Sequence, residues 1–170
     1  MLVEPLPEPW LRGVLPDLDP VIAHLLRASQ QIQEDLSHAI SPLTIAQLWS
    51  APHGMTSAGF HAKHLAGSTG RLCTYLEGHQ LDADQLAAMR SESAPGSDSS
   101  ADLIAGVHAA FERYETLVKA LRPEQFDDIR EVGRKRLATT AIGLAIHIAE
   151  HGQRHTGQAI GAAKLALAAE

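Results

Sequence analysis

The sequence predicts an all-α protein: a four-helix bundle with long inter-helix connections and a short extra helix. Apolar residues recur at helical spacing in four long stretches, and no stretch shows the alternation of apolar and polar residues that strands favour. No segment repeats. A chain of 170 residues can form one domain with a substantial core. We therefore predict an extended, proline-rich N-terminal segment over residues 1–18 and a single domain over residues 19–170.

The first long helix is predicted to begin at Asp19 and Pro20, because aspartate is a favoured capping residue and proline a favoured first helical residue. Apolar residues then follow at spacings of three, four and seven up to about Ile40. Pro42 ends this helix. A short helical turn is predicted next, over residues 44–49.

The second long helix is predicted to run from a capping Ser57 to Gly78, a residue type that favours the position just after a helix. A short extra helix is expected over residues 81–92. The stretch that follows, SESAPGSDSS at 91–100, has the composition of a plain linker or loop.

The third long helix begins with Ser99 and Asp102, which are spaced as in a capping box, and its apolar residues keep helical spacing until Pro123. Residues 123–137 have no convincing period and are predicted to form a long connection. Thr139 or Thr140 is expected to cap the last long helix.

Composition excludes several classes of protein. The net charge of −6 argues against a nucleic-acid partner, because phosphate binding depends on basic patches. No stretch approaches the roughly 18–20 apolar residues of a membrane span, and the N-terminal residues do not have the pattern of a signal peptide. The single cysteine, Cys73, provides neither a disulfide framework nor a cysteine zinc site. We expect a soluble, cytoplasmic protein.

Histidine is the one unusual feature, with ten in the chain. His147, His151 and His155 follow one another at four-residue intervals in the last helix, and two imidazoles at this spacing can converge on one metal ion. The direction of His147 differs from that of His155 by about 80°, too much for all three to bind one ion simply. In the second helix, His61 and His64 share a face. Facing helices of a bundle can build one site, so this second pair can supply a further ligand.

The runs FHAKHLAGSTGRLCTYLEG and HIAEHGQRHTGQ resemble those of the DinB-like superfamily, whose members include proteins of the bacillithiol-transferase type. The most specific part is H-x-x-x-H-x-G-Q at 151–158, together with a histidine preceding A-G-S in the second helix. The resemblance covers roughly residues 20–165. It implies a metal-binding bundle in which His64, His151 and His155 hold a divalent ion. It also implies a cytoplasmic protein that is commonly a homodimer.

Three further residues are candidates for a supporting role at this site. Gln158 shares the face of the two ligands on the last helix and could orient a ligand. His61 and His147 could act as hydrogen-bond partners, proton shuttles or walls of the cleft. Many relatives carry an acidic residue just before the arginine of the second helix. Here Gly70 precedes Arg71, so no supporting acid is expected at that position.

Three neutral imidazoles without a protein carboxylate leave a coordination position open, which is the pattern of catalytic sites. Zinc is expected because of its availability, and nickel also suits imidazole. Such an ion can lower the pKa of a bound water to about 7 or hold a thiol as thiolate. The resemblance therefore implies a metal-dependent thiol transferase or a hydrolase acting on a small electrophilic substrate.

Because the sequence offers no clear general base, the alternative is a non-catalytic, stress-related binding or dimerisation module, with the metal absent or structural.

Overall fold

The computed structural model describes residues 6–94 and 96–168. Within them, six α-helices and one β-hairpin are joined by loops and short 3-10 turns. The helices are α1 (Pro20–Ile40), α2 (Ile45–Leu48), α3 (Ala58–Leu76), α4 (Ala83–Ser91), α5 (Ser100–Ala120) and α6 (Ala141–Ala168). The all-α prediction is confirmed, and the predicted extra helix corresponds to α4.

The long helices begin at side-chain caps, as the sequence predicts. Asp19, Ser57 and Ser99 each accept a hydrogen bond from a backbone amide in the first turn of their helix. At the start of α6, the capping residue is Thr140 rather than Thr139. The Thr140 hydroxyl accepts a 3.1 Å hydrogen bond from the backbone amide three residues later. Each cap satisfies an amide that has no partner within its own helix.

The four long helices share one hydrophobic core. Helix α3 packs extensively against α5 and α6, and α1 packs against the same two helices, whereas α1 and α3 touch little. Helices α1 and α3 therefore lie diagonally across the bundle. Contacts of His61 with His155 and of His64 with His151 show that α3 and α6 run antiparallel.

Helix α6 approaches α1 and α5 closely at Gly152. A Cβ atom at this position would lie 2.6 Å from Ile32 Cδ1 and 3.2 Å from Phe111 Cζ. Because both of these side chains are fully buried, the core leaves room only for glycine. Gly152 directly follows His151, so this close contact fixes the position of His151 along the axis of the bundle.

The connection after α5 is more structured than predicted. Strands β1 (Ile129–Val132) and β2 (Leu137–Thr140) form an antiparallel hairpin, with Ile129 opposite Thr140 and Val132 opposite Leu137. The turn places both Gly133 and Arg136 at positive φ, +72° and +49°. Four-residue strands are too short for a clear alternation, and the turn lacks the Asn-Gly type of signature that identifies hairpins. The hairpin leads directly into α6.

The N-terminal segment lies against α1. Although it is predicted to be extended, it includes a 3-10 turn at Pro9–Leu11, and Arg12 binds the Glu34 carboxylate with two hydrogen bonds of 2.6 and 2.7 Å. Residues 1–5 of this predicted segment lie outside the described residues. Among the helices that the structure describes, none combines the length and the apolar character needed to cross a membrane.

Candidate metal centre

Three histidines from two antiparallel helices converge between α3 and α6. His64 on α3 faces His151 and His155, which are one turn apart on α6. The Nε2 atoms of His64 and His151 are 3.5 Å apart, and one ring nitrogen from each of the three residues lies within 4.8 Å of the others. No other group of three or more histidine, cysteine or acidic side chains comes this close within residues 6–94 and 96–168.

This donor set fits a divalent metal ion. Imidazole nitrogens at 2.0–2.1 Å from a tetrahedral ion are separated by about 3.3 Å. The spacing between the Nε2 atoms of His64 and His151 is 3.5 Å and approaches that value, and the donor atom of His155 lies within 4.8 Å of both. The His64 side chain is 22% exposed, and the other two are half-buried. The three side chains are therefore only partly buried, and the site is in contact with solvent.

A buried carboxylate supports His64 from the far side of its ring. Glu92, the residue that ends α4, places Oε2 2.8 Å from His64 Nδ1. Arg71 holds the same carboxylate with two hydrogen bonds of 3.0 Å, from Nη1 to Oε1 and from Nη2 to Oε2. Gly67 provides the space, because a Cβ atom there would collide with Oε1. Part of the segment interpreted as a plain linker thus belongs to the site.

The sequence contains one indirect signal for this carboxylate. Arg71 lies on the same side of its helix as His64, and a buried arginine requires an acidic partner. Gly70 occupies the preceding position, where no acid was expected, and the acid comes from another element. Because residues 79–100 have no periodicity that fixes their position on the bundle, Glu92 could not be identified as that partner.

The hydrogen bond to Glu92 determines which nitrogen of His64 faces the site. An ionised carboxylate can only accept a hydrogen bond, so a neutral His64 carries its proton on Nδ1 and presents an unprotonated Nε2. That atom faces Nε2 of His151, and at 3.5 Å two lone pairs repel unless a cation or a proton lies between them. Ser68 Oγ lies 3.5 Å from the other ring nitrogen of His151, a long distance for a hydrogen bond.

His61 is buried behind His155. Their Nδ1 atoms are 3.1 Å apart, so one of the two nitrogens donates and the other accepts. This contact orients the His155 ring from the interior, as the predicted role of a hydrogen-bond partner requires.

Burial keeps these imidazoles neutral. It lowers the pKa of both His151 and His155 to about 4, and a positive charge on His64 adds to the effect. Burial and the neighbouring His64 also lower the pKa of His61. Burial alone would raise the pKa of Glu92, but its hydrogen bonds with His64 and Arg71 outweigh burial and hold that pKa below its usual value. At neutral pH, His61, His151 and His155 are therefore neutral, and Glu92 is ionised.

The remaining candidates lie farther from the convergence point. The His147 ring centroid is 5.9 Å from that of His151, and its side chain is 47% exposed and 3.9 Å from the Glu150 carboxylate. Gln158 is exposed and forms no hydrogen bond with the three histidines in the described part of the chain. Cys73 is fully buried, and burial raises the pKa of its thiol to about 12.

Comparison with known proteins agrees with the sequence motifs. A family model described as the DinB superfamily matches residues 8–159, a range that includes all three converging histidines and the helices that carry them. A search of curated proteins gave no match.

Proposed function

Because the chain belongs to the DinB superfamily, we propose that it is a divalent-metal protein that catalyses thiol transfer or hydrolysis on a small electrophilic substrate. The observation that carries the proposal is the convergence of His64, His151 and His155, at a site in contact with solvent. For the metal we propose zinc on grounds of availability, with nickel as the alternative that imidazole ligands also suit.

The ion would supply Lewis acidity, which makes a thiol or water nucleophilic at neutral pH. The protein's own side chains prepare the ligands. Glu92 and Arg71 fix His64, and His61 fixes the ring of His155. For the acceptor of a substrate proton we propose His147, whose ring lies 5.9 Å from that of His151 and whose side chain is 47% exposed.

A cavity that His147 borders supports a small substrate with an apolar part. Along α6, the ligand face continues from His151 through His147 to Leu144, and on α3 Leu72 lies about two turns beyond His64, about 80° away from it in direction. Between these helices and the hairpin lies this cavity of about 250 Å³. It is lined by Leu72, Val132, Leu137, Ala138, Thr139, Leu144 and His147. Since only the histidine among them is ionisable, the cavity suits an uncharged group.

The first test is elemental analysis of the untagged protein and of His151→Ala. We expect about one equivalent of zinc or nickel in the wild type and loss of that metal in the variant, because two imidazoles hold an ion far less tightly than three. The loaded protein is then assayed with low-molecular-weight thiols plus electrophiles, and separately with esters. Equal metal in wild type and variant would exclude the proposed ligand set.

The competing hypothesis is a non-catalytic binding or dimerisation module with a structural metal. Its support is the presence of a fourth histidine, His61, next to His155. To close the coordination sphere, this residue would have to exchange that contact for the ion. Absorption spectra of the cobalt-substituted protein separate the two hypotheses. An added thiol would change the spectrum of an open site and would leave that of a closed, four-histidine site unchanged.

We also propose a homodimer, as expected from the family resemblance. Light scattering coupled to size-exclusion chromatography gives the mass directly, and a monomeric mass would refute this proposal.

A further inference from the structure

We propose that Glu92 is a positioning residue that fixes the protonation and orientation of His64, and so prepares this ligand before any metal binds. The proposal deepens the function proposed above, but its first test needs no metal. It rests on the 2.8 Å contact between Glu92 Oε2 and His64 Nδ1, together with two features of the chain that keep the carboxylate in place.

The first feature is the clamp formed by Arg71. Its two terminal nitrogens each bind one oxygen of Glu92 at 3.0 Å, and both residues are buried, with 9% and 7% of their surface exposed. A two-point clamp of this kind prevents rotation of the carboxylate. Oε2 is therefore held in one direction, toward His64.

The second feature is the absence of a side chain at Gly67. A Cβ atom at this position would collide with Glu92 Oε1 and would come within 2.9 Å of Arg71 Nη1. Glycine is a poor helix former, and this one lies inside α3. The space that it leaves is occupied by the carboxylate.

Helix α4 brings the carboxylate to the site. No residue within α4 is buried, whereas Glu92 at its end is almost completely buried. The Glu92 contacts therefore attach this end of α4 to α3, and α4 holds the acid at the back of the metal centre.

Glu92→Gln tests the proposal with almost no change in shape. An amide offers one acceptor oxygen and one donor NH₂, while Arg71 requires two acceptors and His64 Nδ1–H requires one. If the NH₂ faces His64, the proton of the imidazole moves to Nε2 and blocks the ligand atom. If the NH₂ faces Arg71, one arm of the clamp is lost and the group is free to rotate.

The direct readout is the tautomer of His64 in the metal-free protein. Long-range ¹H–¹⁵N spectra at about pH 8, above the ordinary pKa of histidine, distinguish a proton on Nδ1 from one on Nε2. We expect the Nδ1–H form in the wild type and a shift toward the Nε2–H form in Glu92→Gln. A wild-type His64 that carries its proton on Nε2 would overturn the proposal, and so would a variant in which neither the tautomer nor the metal affinity changes.

The second readout is metal affinity, measured by competition with a chromophoric chelator. Loss of a hydrogen-bond partner of a ligand typically weakens binding about 10- to 100-fold, and we expect this range for Glu92→Gln. The matched control is Glu150→Gln, which removes a carboxylate 3.9 Å from the neighbouring His147 and causes the same change in net charge. Equal weakening in both variants would attribute the effect to charge alone and refute positioning.

Two glycine variants test the same idea without altering charge. Gly67→Ala displaces Glu92 and should also weaken metal binding by about 10-fold or more. Gly70→Ala, on the same helix, meets no atom within 4 Å and should leave the affinity unchanged. Circular dichroism confirms that each variant is folded. Wild-type affinity in a folded Gly67→Ala would count against the role of this glycine and of the carboxylate it admits.

The outcomes separate the two proposals. If the wild type binds no metal, the proposed function fails, while the tautomer measurement still decides the role of Glu92. If the metal binds and neither the tautomer nor the metal affinity depends on Glu92, only the positioning role fails.

Discussion

His151 and His155, the two proposed ligands on α6, make the stability of the metal-free protein depend on pH. Burial lowers the pKa of His151 and His155 to about 4 in the folded protein, from an ordinary value of 6.5. Between these values the unfolded chain binds more protons than the folded one, so the free energy of unfolding falls as pH decreases from about 6.5 toward 4. Because both side chains are partly solvated, we expect only about 1 kcal/mol from each.

Urea unfolding of the metal-free wild type and of His155→Gln, at about pH 7 and about pH 5, tests this expectation. The wild type should lose about 1 kcal/mol more stability than the variant on acidification. Equal losses would show that His155 titrates normally in the folded state.

A buried tyrosine links α5 to α6, the helix that carries His151 and His155. The Tyr114 hydroxyl donates a 3.0 Å hydrogen bond to the Ala145 carbonyl, and burial raises the pKa of this phenol. Tyr114→Phe should destabilise the protein by about 1 kcal/mol, the usual net value of such a bond, without changing metal affinity. Tyr75→Phe is the matched control, since the Tyr75 hydroxyl has no hydrogen-bond partner in the described residues. Equal destabilisation of both variants would contradict this role of Tyr114.

At the scale of secondary structure, the position of α6 depends on one close contact. At an exposed position within a helix, replacing glycine by alanine stabilises the folded protein by about 1 kcal/mol. Gly161→Ala should show this gain, because a Cβ atom there meets no atom within 4 Å. Gly152→Ala should instead destabilise by about 1–2 kcal/mol, because the new methyl group overpacks the core against Ile32. Thermal unfolding of both variants provides the comparison, and stabilisation of Gly152→Ala would show that α6 can shift without cost.

For the whole molecule, metal binding should appear as thermal stability. A ligand that binds only the folded state at about 100 times its dissociation constant adds about 2.7 kcal/mol. For a domain of this size, that corresponds to a rise in Tm of roughly 5–10 °C. A zinc titration followed by scanning calorimetry measures the shift. The same titration of His64→Ala should give little change, and an equal rise would mean that zinc binds elsewhere.

The sequence predicts the parts of this molecule that depend on local order. Helix boundaries at Asp19, Ser57 and Ser99 follow from caps within a few residues, and the spacing of His151 and His155 places them on one face. The motifs around them led to the correct family. The role of Glu92 was missed because this residue reaches its partners from a segment without periodicity. The hairpin was missed because its strands have only four residues each. The positions of Glu92 and of the hairpin depend on contacts between distant parts of the chain.

The three histidines also differ in how far apart they are along the chain. His151 and His155 lie on adjacent turns of α6, so this pair exists as soon as that part of the helix forms, whereas 87 positions separate His64 from His151. A metal ion that binds here early in folding would be held by these two histidines alone. By joining two adjacent turns, the ion would favour nucleation of the helix, which is the costly step in helix formation. Docking of α3 would then complete the coordination sphere. An ion captured in this way would act as a template for this part of α6.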